Sequence, residues 1–290
     1  MSTHKKQHTI PRSYLAAWVD PVTPPGEDSA IWRISKDRST KTRRSPKKSF
    51  RETDRYTIRM KDGSRDLSVE HSLDKIENDF QGVLRAIRRR QQLTSVQRAK
   101  LCVFTAAMMG RSKKQGDHMQ KQWAVGIEQI RQIEGQFGSA AHPALSEVLE
   151  EVNKNSHAYL VNDTIEVAPV LFIMPLTILT TNDLDGFITS DAPAVMCNPK
   201  AYTMSPMLRQ PGLMQTDIEV TLPLSPQETV FFSHKPSNRL YTPTSTSLLE
   251  EVNRRTFFWA DAEFVSWKGT VKDAWCEERE APPDAWRAAE

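Results

Sequence analysis

His8 stands three residues before Pro11 and six before Tyr14, with Leu15 and Trp18 close behind. Histidine is the side chain whose ordinary pKa places its charge change between about pH 5 and 8, so His8 could act as a general acid or base near neutrality. Pro11 suits the first turn of a short helix, where its missing N–H is not needed, and that helix would gather Tyr14, Leu15 and Trp18 on one buried face. The plainer reading makes His8 a capping or exposed residue. Glu70 and Glu77 lie seven residues apart in an apolar-periodic segment, and so rise from nearly the same helical face at the edge of its apolar stripe. Two carboxylates at such a rim can hold a divalent metal or share a proton. Alternatively, Glu70 complements the helix N-terminus and Glu77 is surface. Asp191 follows Phe187-Ile188-Thr189-Ser190, a strand running into an acidic turn that Pro193 keeps extended at Ala192. A carboxylate there is either functional or an Asx-turn residue.

Periodicity shows which elements must carry these side chains. Ala30 to Ser35 and Arg55 to Met60 alternate apolar with polar and predict strands, and Asp62-Gly63 marks a tight turn. Pro21 to Gly26 must be a turn or loop, and the polar, basic stretch from Lys36 to Lys48 is expected to project into solvent. From Asp66 the period changes: Val69, Leu73, Ile76, Phe80, Leu84 and Ile87 form a single helical stripe. Thr94-x-x-Gln97 has capping-box form and opens a second helix bearing Leu101, Phe104, Ala107 and Met108. A third carries Met119, Trp123, Ile127, Ile130 and Phe137 to a left-handed cap at Gly138, and Pro143 starts a fourth with Leu145, Val148, Leu149 and Val152. After Asn155 strands are expected at Val170 to Thr180, Gly186 to Ser190, Glu219 to Leu224, Thr229 to Ser233 and Ala262 to Ser266. A long methionine-containing loop spans Pro199 to Gln215. Ser247-x-x-Glu250 reads as another capping box before a helix with Leu248, Leu249 and Val252. The fold class that follows is α+β: a helical layer over about residues 66–153 packed on a mostly antiparallel sheet formed from the N-terminal strands and the C-terminal half. We expect one domain over residues 1–290, with an N-terminal motif and basic β-hairpin region (1–65), a β-rich half with a C-terminal helix (155–275) and a frayed acidic tail (277–290).

Composition narrows the function classes. No apolar run approaches the roughly 20 residues of a membrane span, and the charged start Met1 to Lys6 lacks the apolar stretch of a secretory signal. Cys102, Cys197 and Cys276 form no CxxC pair, so reduced cysteines in the cytoplasm are expected. The net charge of +3 conceals a division: residues 1–65 carry sixteen Lys or Arg against seven Asp or Glu, a balance of +9, which leaves −6 for the remainder. The basic 33–65 region, Arg43 and Arg44 included, could attract nucleic acid through its phosphates, or be no more than a solvated surface. The commonest phosphate-loop, dinucleotide, zinc-helix and acyl-transfer signatures are missing.

In this order the pieces resemble the bacterial family catalogued as domain of unknown function 4238. The matching residues are His8-x-x-Pro11-x-x-Tyr14-Leu15 with Trp18, Glu70 and Glu77 on the long helix, Arg111 after the second helix, Phe187 to Pro193, Pro223-Leu224-Ser225-Pro226, and Asn253. Met108 stands where relatives often carry Gln. The resemblance implies that His8, Glu70, Glu77, Arg111 and Asp191 share one pocket between the helical layer and the sheet. With that grouping we expect His8, Arg111 and Asp191 as catalytic groups, Tyr14 and Ser190 as substrate contacts joined by Arg43 and Arg44 of the basic region, and Glu70, Glu77 and Asp191 as ligands for Mg²⁺ or Mn²⁺. That set suits phosphodiester chemistry in a nuclease-like effector of cellular defence or toxicity. Two rivals stand beside it: a non-catalytic binding or scaffold protein whose polar cluster is structural, and a sensor whose methionine loop closes over a small ligand.

Overall fold

The structure, a computed structural model, describes residues 6–23, 29–137, 143–205, 211–237 and 239–278. The N-terminal third runs β1 (Lys6–His8), α1 (Arg12–Leu15) continued by a 3-10 turn at Ala16–Trp18, β2 (Ile31–Ser35), β3 (Lys41–Arg44), β4 (Arg51–Thr53), β5 (Ile58–Arg59) and β6 (Arg65–Asp66). Helices follow: α2 (Ser68–Arg88), α3 (Ser95–Gly110), α4 (Lys113–Phe137), α5 (Pro143–Lys154), α6 (Ser156–Ile165) and α7 (Ala168–Ile173). The remainder comprises β7 (Leu176–Thr180), β8 (Thr189–Ser190), β9 (Val195–Cys197), β10 (Glu219–Ser225), β11 (Glu228–Ser233), β12 (Tyr241–Pro243), α8 (Thr246–Trp259), β13 (Glu263–Ser266) and α9 (Asp273–Cys276). The protein is α+β, as the patterning implies.

Two sheets form the frame. One has the order β12-β7-β11-β10-β9, antiparallel except where β12 joins β7; the other has the order β3-β2-β13-β8 and is antiparallel throughout. Side chains alternate across each sheet with period two. Ile178, Val220, Leu222, Val230 and Phe232 thus meet Phe80, Leu84, Leu101, Phe104 and Leu171 of α2, α3 and α7 in the largest core cluster. The intervening Leu179 and Phe231 turn the other way, onto Leu249 and Val252 of α8. The C-terminal half of α8 packs against the second sheet, where Phe257 joins Ile34, Phe264 and Trp275. α8 therefore lies against both sheets.

The N-terminal turn ties them together. Pro11 caps α1 in an extended conformation, and Tyr14, Leu15 and Trp18 are fully buried. The Tyr14 hydroxyl donates to the Pro223 carbonyl in β10 (2.6 Å) and meets Thr189 Oγ1 in β8 (2.7 Å), while Trp18 Nε1 donates to the Phe187 carbonyl (2.9 Å). Gly186, at φ +66°, lets this segment pass under the β10–β11 turn, because a Cβ there would lie 2.2 Å from the Pro226 carbonyl oxygen.

The Thr94–Gln97 capping box, the α2 stripe and the Asp62-Gly63 turn all form as expected. Other segments differ. The expected strand from Val170 is helix α7 followed by strand β7: Pro169 sits in the first helical turn, where it is tolerated, and Pro175 keeps Met174 extended (ψ 136°). The helical layer continues through α6, whose close approach to α3 depends on Gly110; a Cβ there would meet Thr164 Oγ1 at 2.8 Å. Lys41–Arg44 is an edge strand paired with β2, not a solvent excursion, and its charges suit an edge that must not pair further. Helix α8 is capped by Ser245, whose hydroxyl accepts from Leu248 N (3.2 Å), two residues before the expected Ser247. Of the expected α4 stripe, Ile127 is buried whereas Trp123 is exposed. The cap at Gly138, the prolines at 24 and 25 and the tail beyond residue 278 lie outside the described residues. No helix among the described residues is long and apolar enough to cross a membrane.

Tyr14→Phe is expected to lower the unfolding free energy by about 1–3 kcal/mol, since it leaves the buried Pro223 carbonyl without its donor. Urea unfolding of the two proteins measures this.

Candidate functional site

His8 ends β1, which pairs with β4 so that His8 lies directly opposite Arg51. The half-buried ring donates from Nε2 to the Lys47 carbonyl at 3.3 Å, which in the neutral tautomer leaves Nδ1 as the basic nitrogen. Burial holds its pKa below the ordinary 6.5, and the Arg51, Arg111 and Arg12 guanidiniums push the same way, against the raising effect of the Lys47 carbonyl. The ring is therefore neutral at pH 7 and stands among cations.

The neighbouring residue reverses face, as strand geometry requires. Gln7 Nε2 donates to Thr57 Oγ1 (2.9 Å) and to Glu70, while its Oε1 accepts from Tyr56 N (2.6 Å). One turn pair further along α2, Glu77 accepts from Arg111 Nη2 at 2.7 Å. Arg111 caps α3 and is 3% exposed; its guanidinium lies 5.7 Å from the centre of the Tyr56 ring, and that of Arg55 lies 6.0 Å from it. Burial raises the Tyr56 phenol above its usual range, so it stays protonated. Arg111 Nε is buried with no hydrogen-bond partner among the described residues. The next residue, Ser112, donates its hydroxyl to Asp261 (3.0 Å) and accepts at its carbonyl from Arg55 Nη2 (3.4 Å). A chain of contacts thus runs from Glu77 through Arg111 and Ser112 to Asp261.

Asp191 is joined to that chain, but its oxygens are occupied. Oδ1 accepts from Asp261 N (2.8 Å), and Oδ2 from Ala262 N (2.8 Å) and Glu263 N (2.9 Å). Burial raises its pKa despite these three donors. Asn253 does similar work one layer away, accepting from Ile188 N and donating to the Gly186 carbonyl, each at 2.9 Å.

The expected residues therefore divide. His8, Arg111 and Glu77 are brought near one another, and Asp191 reaches them through Asp261. Glu70 is drawn off by Gln7. The expected metal triad of Glu70, Glu77 and Asp191 is not assembled: no group of three His, Cys, Asp or Glu able to hold a metal occurs among the described residues. Glu77 accepts from a guanidinium, and Asp191 from backbone N–H groups. Tyr14 and Ser190 are fully buried, and Ser190 Oγ accepts from Ala192 N (3.1 Å). Arg43 pairs with Asp20 (3.5 Å) and lies 5.4 Å from the Trp32 ring, while Arg44 is exposed at the sheet edge. Elsewhere in the basic region Arg33 pairs with Glu263, Arg38 with Asp273, Arg55 with Glu52 and Arg65 with Asp54. Part of its positive charge is thus paired within the protein. Arg12, Arg51, Gln7 and Tyr56 were missed by sequence reasoning; only the β1–β4 register, which connects residues 43 apart, could have revealed His8 opposite Arg51.

Fold and site together define an α+β protein with a histidine and several arginines at the seam between its N-terminal strand and helical layer. The chain belongs to the family described as protein of unknown function (DUF4238), which matches residues 6–267. Neither the curated proteins nor the solved structures compared with it gave a match.

Two outcomes are expected. Folding depresses the pKa values of His8 and His157 below 6.5, chiefly through burial, so the unfolded chain takes up those protons first as pH falls. Their contribution is full above about pH 6.5 and is lost as pH drops through the folded values; denaturation midpoints between about pH 7.5 and 5 should show this, with a shallower decline in His8→Gln. Asp191→Asn should cost about 1–3 kcal/mol by the same assay, because an amide offers one acceptor oxygen to three N–H donors.

Proposed function

We propose that the protein is a phosphodiester hydrolase of the nuclease type, in which His8 moves the proton and Arg12, Arg51 and Arg111 hold the phosphate. The observation that carries this reading is the His8 ring itself: kept neutral by burial, fixed through Nε2, and set among three guanidiniums. An anion drawn to those cations would present its phosphorus near a ready base. Nδ1 would take the proton of the attacking water as its oxygen bonds to phosphorus, the bond to the leaving sugar oxygen would break, and a proton returned from the imidazolium would complete the leaving group. In this scheme Glu77 holds Arg111 in place, and Asp191 holds the turn before β13. A role in cellular defence or toxicity is part of the proposal and rests on the family resemblance.

The alternative is a non-catalytic anion-binding protein. The commitment of Asp191, Asn253, Gln7 and Tyr14 to hydrogen bonds that fix the chain favours it. Incubation with end-labelled RNA and DNA, in chelator and with added Mg²⁺ or Mn²⁺, separates the two. Cleavage in chelator is expected, with an acid limb whose midpoint lies below pH 6.5, and His8→Gln should slow it by about 10²-fold or more. Binding without cleavage under every condition would leave the alternative standing.

A further inference from the structure

We propose that the cleft on either side of Tyr241 binds single-stranded nucleic acid. The proposal shares no lining residue with the His8 site and does not rest on the hydrolase reading. Between Phe80 and Gly116 the chain carries six Arg and three Lys without a single Asp or Glu. Arg88 ends α2 and Arg89 caps it, both exposed to solvent, and the chain then turns at Arg90, whose φ of 55° lies in the left-handed range. The Arg90 guanidinium lies 5.3 Å from the Tyr241 ring centre, and the Tyr241 hydroxyl donates to the Gln91 carbonyl at 2.6 Å. The ring is thus held as a fixed wall.

A cavity opens on each side of it. One, of about 490 Å³, is lined by Gln92, Arg98, Ser237 and Arg239; the other, of about 530 Å³, by Arg90, Thr181, Asn182, Thr244 and Thr246. Tyr241 lines both. Arg98 is held by the carbonyls of Phe172 (2.9 Å) and Met174 (2.5 Å). Asp183 is the carboxylate of the second cavity, and Lys272 Nζ lies 3.7 Å from it. Arg90 Nη1 lies 3.9 Å from the buried Glu228 and stays half exposed, whereas Arg88, Arg89 and Arg239 make no ion pair among the described residues. Arginines in the last turn of α2 are explained by the helix dipole, but Arg90, Arg98 and Arg239 lie outside that turn.

An aromatic wall with cations on both sides and amide and hydroxyl groups beneath is the chemistry that accepts stacked bases and a phosphate backbone. A single strand can place a base in each hollow, whereas a duplex keeps its bases paired and stacked. A peptide strand is less well served. β12 is the free edge of its sheet, but it is three residues long and ends in Pro243, which has no N–H to donate.

Fluorescence anisotropy of the full chain in chelator tests this, using labelled single-stranded RNA and DNA, the matching duplexes and an oligoglutamate peptide. The single strands should bind more tightly than the duplexes. In the Arg90→Gln, Arg239→Gln double variant the slope of log affinity against log salt should fall by about 1.4, two phosphate contacts at about 0.7 each. Tyr241→Leu should weaken binding by about 5- to 150-fold, with thermal melts checking that each variant is folded. Because Tyr241→Leu also removes the bond to Gln91, the arginine pair provides the independent test. Cleavage of the same labelled strands is followed in parallel on gels, so failed cleavage and failed binding are told apart. No binding at low salt, an unchanged salt slope, or oligoglutamate or duplex bound as tightly would each overturn the proposal.

Discussion

The Tyr14 hydroxyl is the contact on which the arrangement turns. Its partner carbonyl belongs to Pro223, beside the irregularity in β10 where the ladder to β11 shifts register between Pro223 and Ser225. A disturbed ladder leaves buried backbone groups that need partners from elsewhere. Tyr14 supplies one to the first sheet while meeting Thr189 of the second. From the same turn, rings run inward in sequence: Trp18 to Tyr14 at 5.1 Å, Tyr14 to Phe104 at 6.1 Å, and Phe104 stacked on Phe80 at 3.7 Å. A four-residue helix thereby joins two sheets and two long helices, and the strand preceding it, with His8 at its end, inherits a defined position.

α8 provides the complementary constraint on the opposite face. Its polar side enters the fold: Arg255 bonds Glu219 of β10 at 2.7 Å and Glu251 at 2.9 Å, all three nearly inaccessible to water. Burying such charges is costly unless each is paired, and here the arginine bridges both carboxylates. The gain is positional. Only one rotation of α8 satisfies this bridge and also presents Asn253 to the backbone of residues 186–188, where its amide substitutes for a neighbouring strand.

Sequence reasoning read the helical elements best, because a 3.6-residue period and a capping box are local signals. It found α2, α3 and the strands β10, β11 and β13 in place. It misplaced α7 because a short apolar run with two prolines has no period of its own, and Pro169 was compatible with a helix start as well as a break. It placed the N-cap of α8 two residues late because Ser245, Thr246 and Ser247 offer three hydroxyls in a row. At the site, residue types were legible but their partners were not. Asp191 could have faced a ligand or a turn, and the choice was made by the N–H groups of residues 261–263, which no spacing near 191 reveals. The ion pairs of the basic N-terminal region were hidden for the same reason, since Glu263, Asp273 and Asp20 reach Arg33, Arg38 and Arg43 from distant positions or an earlier loop.

The long reach of these contacts bears on how the molecule is made. Tyr14 waits for Pro223, Ser112 for Asp261, and Asp191 for the backbone that follows Asp261. Domains fold as their residues emerge during synthesis, beginning from the N-terminus. Here Tyr14 depends on a partner 209 residues further along the chain. A nascent chain can build helices early, but the seam holding His8 closes only when β13 has appeared. Whatever chemistry that seam performs must wait until residues 261–263 have been made.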